Sequence, residues 1–243
     1  MPTSAPLARV AHAPDGARAV DGNRILASLG RRDLRMLEPI ERVRLAARHT
    51  LFEAGEALRH LYFPADALVS FVQVDKQGAM PEIALVGAEG IVGVTALLGA
   101  DMALHRGVVR IAGDAYRVPV VCARRAFQGS EVLRAVVLKF AELLIRQLSQ
   151  SVVCKLSHTV EQQFCQRLLA YADRAGESPL EMTHEQIAEA LGSRRQGITE
   201  AARRLQAQQV IAYSRGRISV LDRAALERYA CECYRTVRRP LGG

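Results

Sequence analysis

No stretch of the 243 residues approaches 18 consecutive apolar positions, so no membrane-spanning helix is expected. The first part of the chain, Met1 to about Asn23, is rich in Ala, Pro, Gly and Arg and lacks the continuous apolar core of a secretory signal. It is expected to be a disordered or loosely attached tail of a cytoplasmic protein. Cysteine is sparse: Cys122, Cys154, Cys165, Cys231 and Cys233, an odd number with no framework spacing, which fits a reducing compartment. Also missing are a nucleophile elbow, a phosphate loop, a metalloprotease helix and a dinucleotide-binding fingerprint. The Asp and Glu residues between 49 and 122 form no readable pair. An enzyme is therefore not expected.

What is present is ordinary globular material, 49% hydrophobic and 24% charged, long enough for two domains with real cores. The formal net charge of +8 favours polyanionic partners through phosphate contacts and counterion release. Ile25, Leu26 and Leu29, then Leu34, Leu37 and Ile40, suggest two small helices punctuated by Gly30 and Pro39. From His49 the pattern changes to short β runs: Thr50–Phe52, Leu58–Phe63, Ala67–Val74, Glu82–Val86 and Gly107–Ile111, with Arg117–Cys122 closing the set. Short strands separated by glycine turns indicate a small barrel, roll or sandwich.

A long helix is expected over about Ser130–Thr159, followed by a second over about Gln162–Ala175. Leu133, Val137, Phe140, Leu144, Gln147, Ser151, Cys154 and His158 alternate four- and three-residue steps, the spacing of a coiled-coil seam. Read functionally, Leu133 to Ser151 are the contact row of a homodimer; the alternative is a helix buried within its own chain.

The segment Pro179–Leu221 carries the functional argument. Thr183 with Gln186 three residues on makes a capping box, and Ile187, Ala188 and Leu191 share the inner face of the helix that follows. Gly192 supplies the turn, Ser193 is the expected cap of a second helix, and Ile198, Ala201, Ala202 and Leu205 are its inner face. Arg195, Gln196, Thr199, Glu200 and Arg203 fall on the opposite side. These residue types read base edges in a major groove: Arg suits guanine, Gln adenine, and Glu accepts from cytosine. Arg194, at the helix entry, suits a phosphate. Two β runs, Val210–Tyr213 and Arg217–Leu221, flank a short turn, so Arg215 and Arg217 sit near the tip of a basic wing. Double-stranded DNA is the expected partner. The competing reading is a signal- or protein-binding module whose winged helix reads no DNA sequence.

On these residues, and on the stretch Ala190–Leu205 (ALGSRRQGITEAARRL) above all, the chain resembles the Crp/Fnr family of bacterial transcription regulators. The resemblance implies an α+β protein: an N-terminal β-roll (a double-stranded β-helix like that of cyclic-nucleotide-binding domains), a long dimerisation helix and a C-terminal winged helix-turn-helix. The expected boundaries are a tail over 1–23, the sensor roll over 24–129, the dimerisation helix over 130–160 and the DNA-binding domain over 161–243. The family's base-contacting positions fall on Arg195, Gln196 and Glu200. RNA polymerase is an implied partner if the protein activates.

The ligand-binding signature of nucleotide-binding relatives is not kept. Gly93-Val94-Thr95 and Arg106-Gly107-Val108 stand where ribose- and phosphate-holding side chains are expected, so cyclic AMP is not the expected effector and the signal is unassigned. The iron–sulfur variant needs N-terminal cysteines that this sequence lacks. His49, His60 and His105 are candidate haem ligands, although a lone His is more often a surface or core residue. Cys231 and Cys233 form a C-x-C pair on an expected C-terminal helix, and Cys154 on the seam has the option of pairing across a twofold axis. Two thiolates are able to start a metal or redox site, but a full zinc site wants four ligands; the favoured reading is two ordinary helix cysteines, so neither metal nor cofactor is expected.

Overall fold

The structure is a computed structural model in which residues 20–74, 79–175 and 179–238 are described. Most of the expected tail lies outside the described residues. Its last four residues do not behave as a tail: Val20 is buried, and Asn23 is fully buried. Asn23 Oδ1 accepts from the amides of Ile25 and Leu26, while its Nδ2 donates to the carbonyls of Pro64 (2.9 Å) and Gly90 (3.1 Å). A buried amide with both ends satisfied fixes the start of helix α1 (Arg24–Ala27). Helix α2 (Arg31–Met36) follows.

The chain divides into two compact units, one formed by residues up to Phe71 with Leu85–Glu142, the other by Val72–Ala84 with Leu143 onward. Strands β1 (Glu41–Leu45), β2 (Thr50–Phe52), β3 (His60–Pro64), β4 (Leu68–Val72), β5 (Glu82–Val86), β6 (Arg106–Ile111) and β7 (Gly113–Pro119) make two sheets, ordered β1-β7-β3 and β2-β6-β4-β5. The pairs β1–β7, β3–β7 and β2–β6 are antiparallel. This is the roll that the sequence suggests, with two differences.

Strand β1 was not expected, because its sequence, ERVRL, is rich in charge. It is nonetheless a strand with one face in the core: Val43 and Leu45 are buried, whereas Arg42 and Arg44 point out and both reach Asp114 on β7. Burial pushes the Asp114 carboxyl up, but its hydrogen bonds to Arg44 and Arg42 outweigh this and hold it below the usual carboxylate range.

The expected strand over Arg117–Cys122 stops at Pro119, and helix α3 (Val120–Gly129) begins at once. Pro119 has no amide to continue the ladder and has a φ of −59° that leads into a helix. Val120, Ala123 and Ala126, three residues apart, are the buried face of α3.

Helix α4 (Glu131–Ser157) opens with the Ser130 hydroxyl accepting from the Leu133 amide and donating to Asp33. Its row Leu133, Val137, Phe140, Leu144 and Gln147 is buried by the chain itself, and Ser151 is half-buried. The Phe140 ring lies so close to Gly90 that a Cβ there would overlap it. From Leu133 to Gln147, the row read from spacing as a partner contact is therefore packed within its own chain. The large exposed apolar positions of α4 lie elsewhere on the helix: Val132, Leu138, Ile145, Val152, Val153 and Leu156.

The second unit continues with α5 (Val160–Ala175), β8 (Leu180–Glu181), α6 (His184–Leu191), α7 (Arg195–Ala207), β9 (Ile211–Ser214), β10 (Arg217–Val220), α8 (Arg223–Tyr229) and α9 (Cys233–Arg238). Phe164, Cys165, Leu168, Leu169 and Tyr171 of α5 are its buried spine. Burial pushes the Cys165 thiol up to about 12, so it packs as a small neutral hydrophobe. Glu82, with no exposed side-chain surface, accepts from Arg167 (2.5 Å) and Tyr171 (2.9 Å). Arg223, Tyr234 and Arg238 converge on Asp173 and tie α8 and α9 to α5.

Candidate nucleic-acid interface

The interface is built by local chemistry. Thr183 Oγ1 accepts from the Gln186 amide (3.2 Å), and Gln186 Oε1 accepts from the Thr183 amide (2.8 Å), a complete capping box at the start of α6. At its end Gly192 takes the left-handed conformation (φ 54°, ψ 42°). The amides of Gly192 and Ser193 donate back to Glu189 and Ala188 (both 2.9 Å), which closes a Schellman motif. The turn reverses the chain so that Ile187, Ala188 and Leu191 of α6 and Ile198, Ala201, Ala202 and Leu205 of α7 share one core. Alanine at 188, 201 and 202 lets the two helices approach.

Ser193 does not cap α7, as the sequence suggests it should. Arg194 occupies the cap and no side chain closes it. The first amides of α7 are thus left without a side-chain acceptor, the arrangement in which a helix end attracts phosphate.

Arg195, Gln196, Thr199, Glu200 and Arg203 line one open depression on the outer side of α7. The structure brings together all five residues expected there, but they are not equally available. Thr199 Oγ1 donates to the Arg195 carbonyl (3.1 Å) and accepts from His184 Nδ1 (3.2 Å), so its hydroxyl is already engaged. Its methyl remains for an apolar contact. Glu200 is paired with Arg204 (2.7 Å) and Arg195 loosely with Glu185 (3.6 Å). All four of these side chains are well exposed and screened by solvent, so both pairs exchange readily for a ligand.

His184 belongs to this site and sequence reasoning passed it over. It opens α6, stacks on Tyr213 of β9 (ring centroids 4.1 Å apart) and supports Thr199 from below. Burial first, then the charges of Arg195 and Arg203, push its imidazole below the usual His range, so it is neutral at pH 7. The signal that could have found it is its place directly after the Thr183 cap, as the first residue of α6.

The wing is a three-stranded sheet ordered β8-β10-β9, one strand more than expected. Its tip is a two-residue turn with both residues at positive φ, Arg215 (50°) and Gly216 (76°), the twist that suits a hairpin. Arg215 stands exposed at that tip, whereas Arg217 is paired with Glu181 of β8 (3.0 Å).

Capped helix, Schellman turn, polar-faced second helix and basic hairpin define a winged helix-turn-helix. Residues 162–229 accordingly match the family described as the Crp-like helix-turn-helix domain. No curated protein sequence matches the chain. Among solved structures it is similar to a CRP-family transcriptional regulator from Thermus thermophilus (22% identity, 77% of this chain and 95% of that one, TM-score 0.66). FixK2 from Bradyrhizobium japonicum (13%, 79% and 98%, 0.66) and the c-di-GMP-responsive regulator CLP from Xanthomonas campestris (15%, 77% and 97%, 0.61) are further neighbours. The chain thus has the fold of CRP/FNR-type regulators and carries their helix-turn-helix domain.

Of the other sequence candidates, Arg106 is ion-paired with Glu53 (2.6 Å) and Val94 is fully buried. His60 lies beside Tyr62 on β3 and His105 beside Phe71, each half-buried. Among the described residues no helix is long and apolar enough to cross a membrane.

Proposed function

We propose that the chain is a sequence-specific DNA-binding transcription regulator of the Crp/Fnr type that works as a homodimer. The observation that carries this reading is the outer row of α7: Arg195, Gln196, Glu200 and Arg203 exposed on one side, presented by a helix whose entry is left open for a backbone phosphate. Arg194 at that entry and Arg215 at the wing tip are the phosphate contacts; Arg217 joins them once it leaves Glu181. Arg195, Gln196 and Glu200 read base edges, and Thr199 offers its methyl group. Two such helices in a dimer would enter successive major grooves about 34–36 Å apart, so the operator is near-palindromic.

The exposed apolar positions of α4 support the dimer. Leu138, Glu142, Ile145, Ser149, Val152 and Leu156 alternate steps of four and three residues, and all six are exposed. This is a coiled-coil seam on a side of α4 that its own chain leaves uncovered. The signal acts at the β-roll. The Arg106–Glu53 pair and the buried Val94 favour an effector other than cyclic AMP. If the protein activates, RNA polymerase is its further partner, in the cytoplasm.

The test is selection of bound duplexes from a random library at about 150 mM salt, with Arg195→Ala alongside. Enrichment of a near-palindrome by the wild type, with preference at one base position per half-site relaxed in the variant, supports the reading. Binding without sequence preference, even with cell extract added to supply a signal, would leave a module that does not read DNA.

A further inference from the structure

The two C-terminal cysteines, unremarkable as a C-x-C pair, are brought by the fold to the far end of α4. Cys231 lies at the α8–α9 joint and Cys233 opens α9. Cys154 and His158 face them from the last turn of α4 and the residue after it. The three sulfurs and one His nitrogen lie within 4.8 Å of one another, and all three cysteines are buried. We infer that Cys154, His158, Cys231 and Cys233 form a closed Cys3His site for one Zn2+.

Three features of the geometry point to a metal rather than to incidental packing. First, the edges fit. Cys154 Sγ and Cys231 Sγ are 3.6 Å apart, and Cys233 Sγ and His158 Nδ1 are 3.5 Å apart. Tetrahedral zinc with bonds of about 2.3 Å to sulfur and 2.0–2.1 Å to nitrogen sets edges of roughly 3.8 and 3.5 Å. Drawing the widest separation onto a common ion takes about 1 Å of side-chain movement.

Second, the imidazole is held in the tautomer a metal needs. His158 Nε2 lies 3.1 Å from Glu232 Oε1. A carboxylate only accepts, so Nε2 carries the proton and Nδ1 turns its lone pair toward the thiols; carboxylate, histidine and metal then form the usual outer-shell triad. Third, Gln150 Nε2 donates to Cys233 Sγ at 3.0 Å, a bond that stabilises charge on that sulfur.

Four protein ligands leave no open position, so the site is structural. Binding converts Zn2+, three Cys–SH and a neutral His into a complex of net charge −1 and releases three protons, so affinity falls as pH falls. The ion would fasten the last turn of α4 to the C-terminal helix of the same unit.

The test uses the full chain, reduced and freed of metal with a chelator. One equivalent of Co2+ added to the wild type should produce the thiolate-to-cobalt charge-transfer band and the visible absorption of a tetrahedral site, and one equivalent of Zn2+ should bleach both. Zinc content should be one per chain for the wild type and Cys122→Ser, and near zero for Cys231→Ser. Glu232→Gln should weaken zinc binding about 10- to 100-fold in competition with a chromophoric chelator. The wild-type spectrum needs no variant, so a misfolded variant leaves the question decidable. Absence of the charge-transfer band, or zinc uptake unchanged in Cys231→Ser, would overturn the site. So would a reduced chain that takes up no zinc yet forms a Cys154–Cys231 disulfide with mild oxidant, since the cluster is then a dithiol pair.

Discussion

Helices α4 and α7 each bury one side and expose the other, but the exposed sides differ in kind. On α7 the outer row is Arg, Gln, Glu and Arg, groups that water solvates at no cost. On α4 it includes Leu138 (50% exposed), Ile145 (63%) and Leu156 (81%). Isolated exposed apolar residues are commonplace, but a row of them at heptad spacing is surface that gains from being covered. The two helices therefore offer different surfaces: α7 a polar row suited to the proposed DNA contact, α4 an apolar row suited to the proposed dimer seam.

The largest expected effect tests α4. Ile145→Asp places a charge in the proposed seam twice in a symmetric dimer, once per copy. With about 1.5–3 kcal/mol for each buried apolar side chain, the dimer dissociation constant should rise by more than 100-fold, read by sedimentation equilibrium. Leu133→Ala, on the buried side of the same helix, should instead lower unfolding stability by about 2–5 kcal/mol in chemical denaturation and leave self-association of the folded chain unchanged. If these two results came out exchanged, the seam would be the inner row after all, and the contrast between the helices would collapse.

Smaller effects test α7. Arg195→Ala should cost about 1–3 kcal/mol on the selected operator and relax preference at one position, whereas Arg215→Ala should weaken all sequences alike and reduce the salt slope by about one. Equal behaviour of the two would make Arg195 another phosphate contact. Gly192→Ala has room for its Cβ, since the nearest atom, on Pro81, is 3.4 Å away. Its cost is the left-handed backbone, about 1–2 kcal/mol, visible as a lower Tm.

The smallest effect is on pH. Burial lowers the imidazoles of His60 and His105 in the first unit, and burial with Arg195 and Arg203 lowers that of His184 in the second. The unfolded chain takes up these protons first, so stability is full above the ordinary His pKa of 6.5 and is lost as pH falls through it. Tm measured from pH 7.5 to 5.5 should decline, and His184→Asn should flatten that decline; a Tm that rose on acidification would contradict the burial.

The helix-turn-helix was legible because its causes are local. Thr183 and Gln186 cap α6 within three residues, Gly192 sets the turn, and the 3.6-residue period assigns every side chain of α7 to a face. Even there Ser193 misled, because a cap is decided by backbone angles at the joint rather than by residue type alone. Strand β1 was missed because alternation of Arg42 and Arg44 with Val43 and Leu45 reads as charge until Asp114 is placed opposite. Helix α3 was missed because its opening Val-Val suits a strand as well as a helix.

By itself, then, the sequence determined the elements whose hydrogen-bond partners lie within one or two turns: α6, its Schellman turn, α7 and the hairpin tip at Arg215 and Gly216. Only the tertiary structure decided which apolar row of α4 faces inward, because both rows obey heptad spacing and periodicity cannot say which one meets a core. It also brought Cys154 to Cys231, 77 residues away, where no spacing rule reaches. Local geometry is fixed by the chain's own backbone; the choice among equivalent faces, and every cluster drawn from distant segments, is fixed by what packs against them.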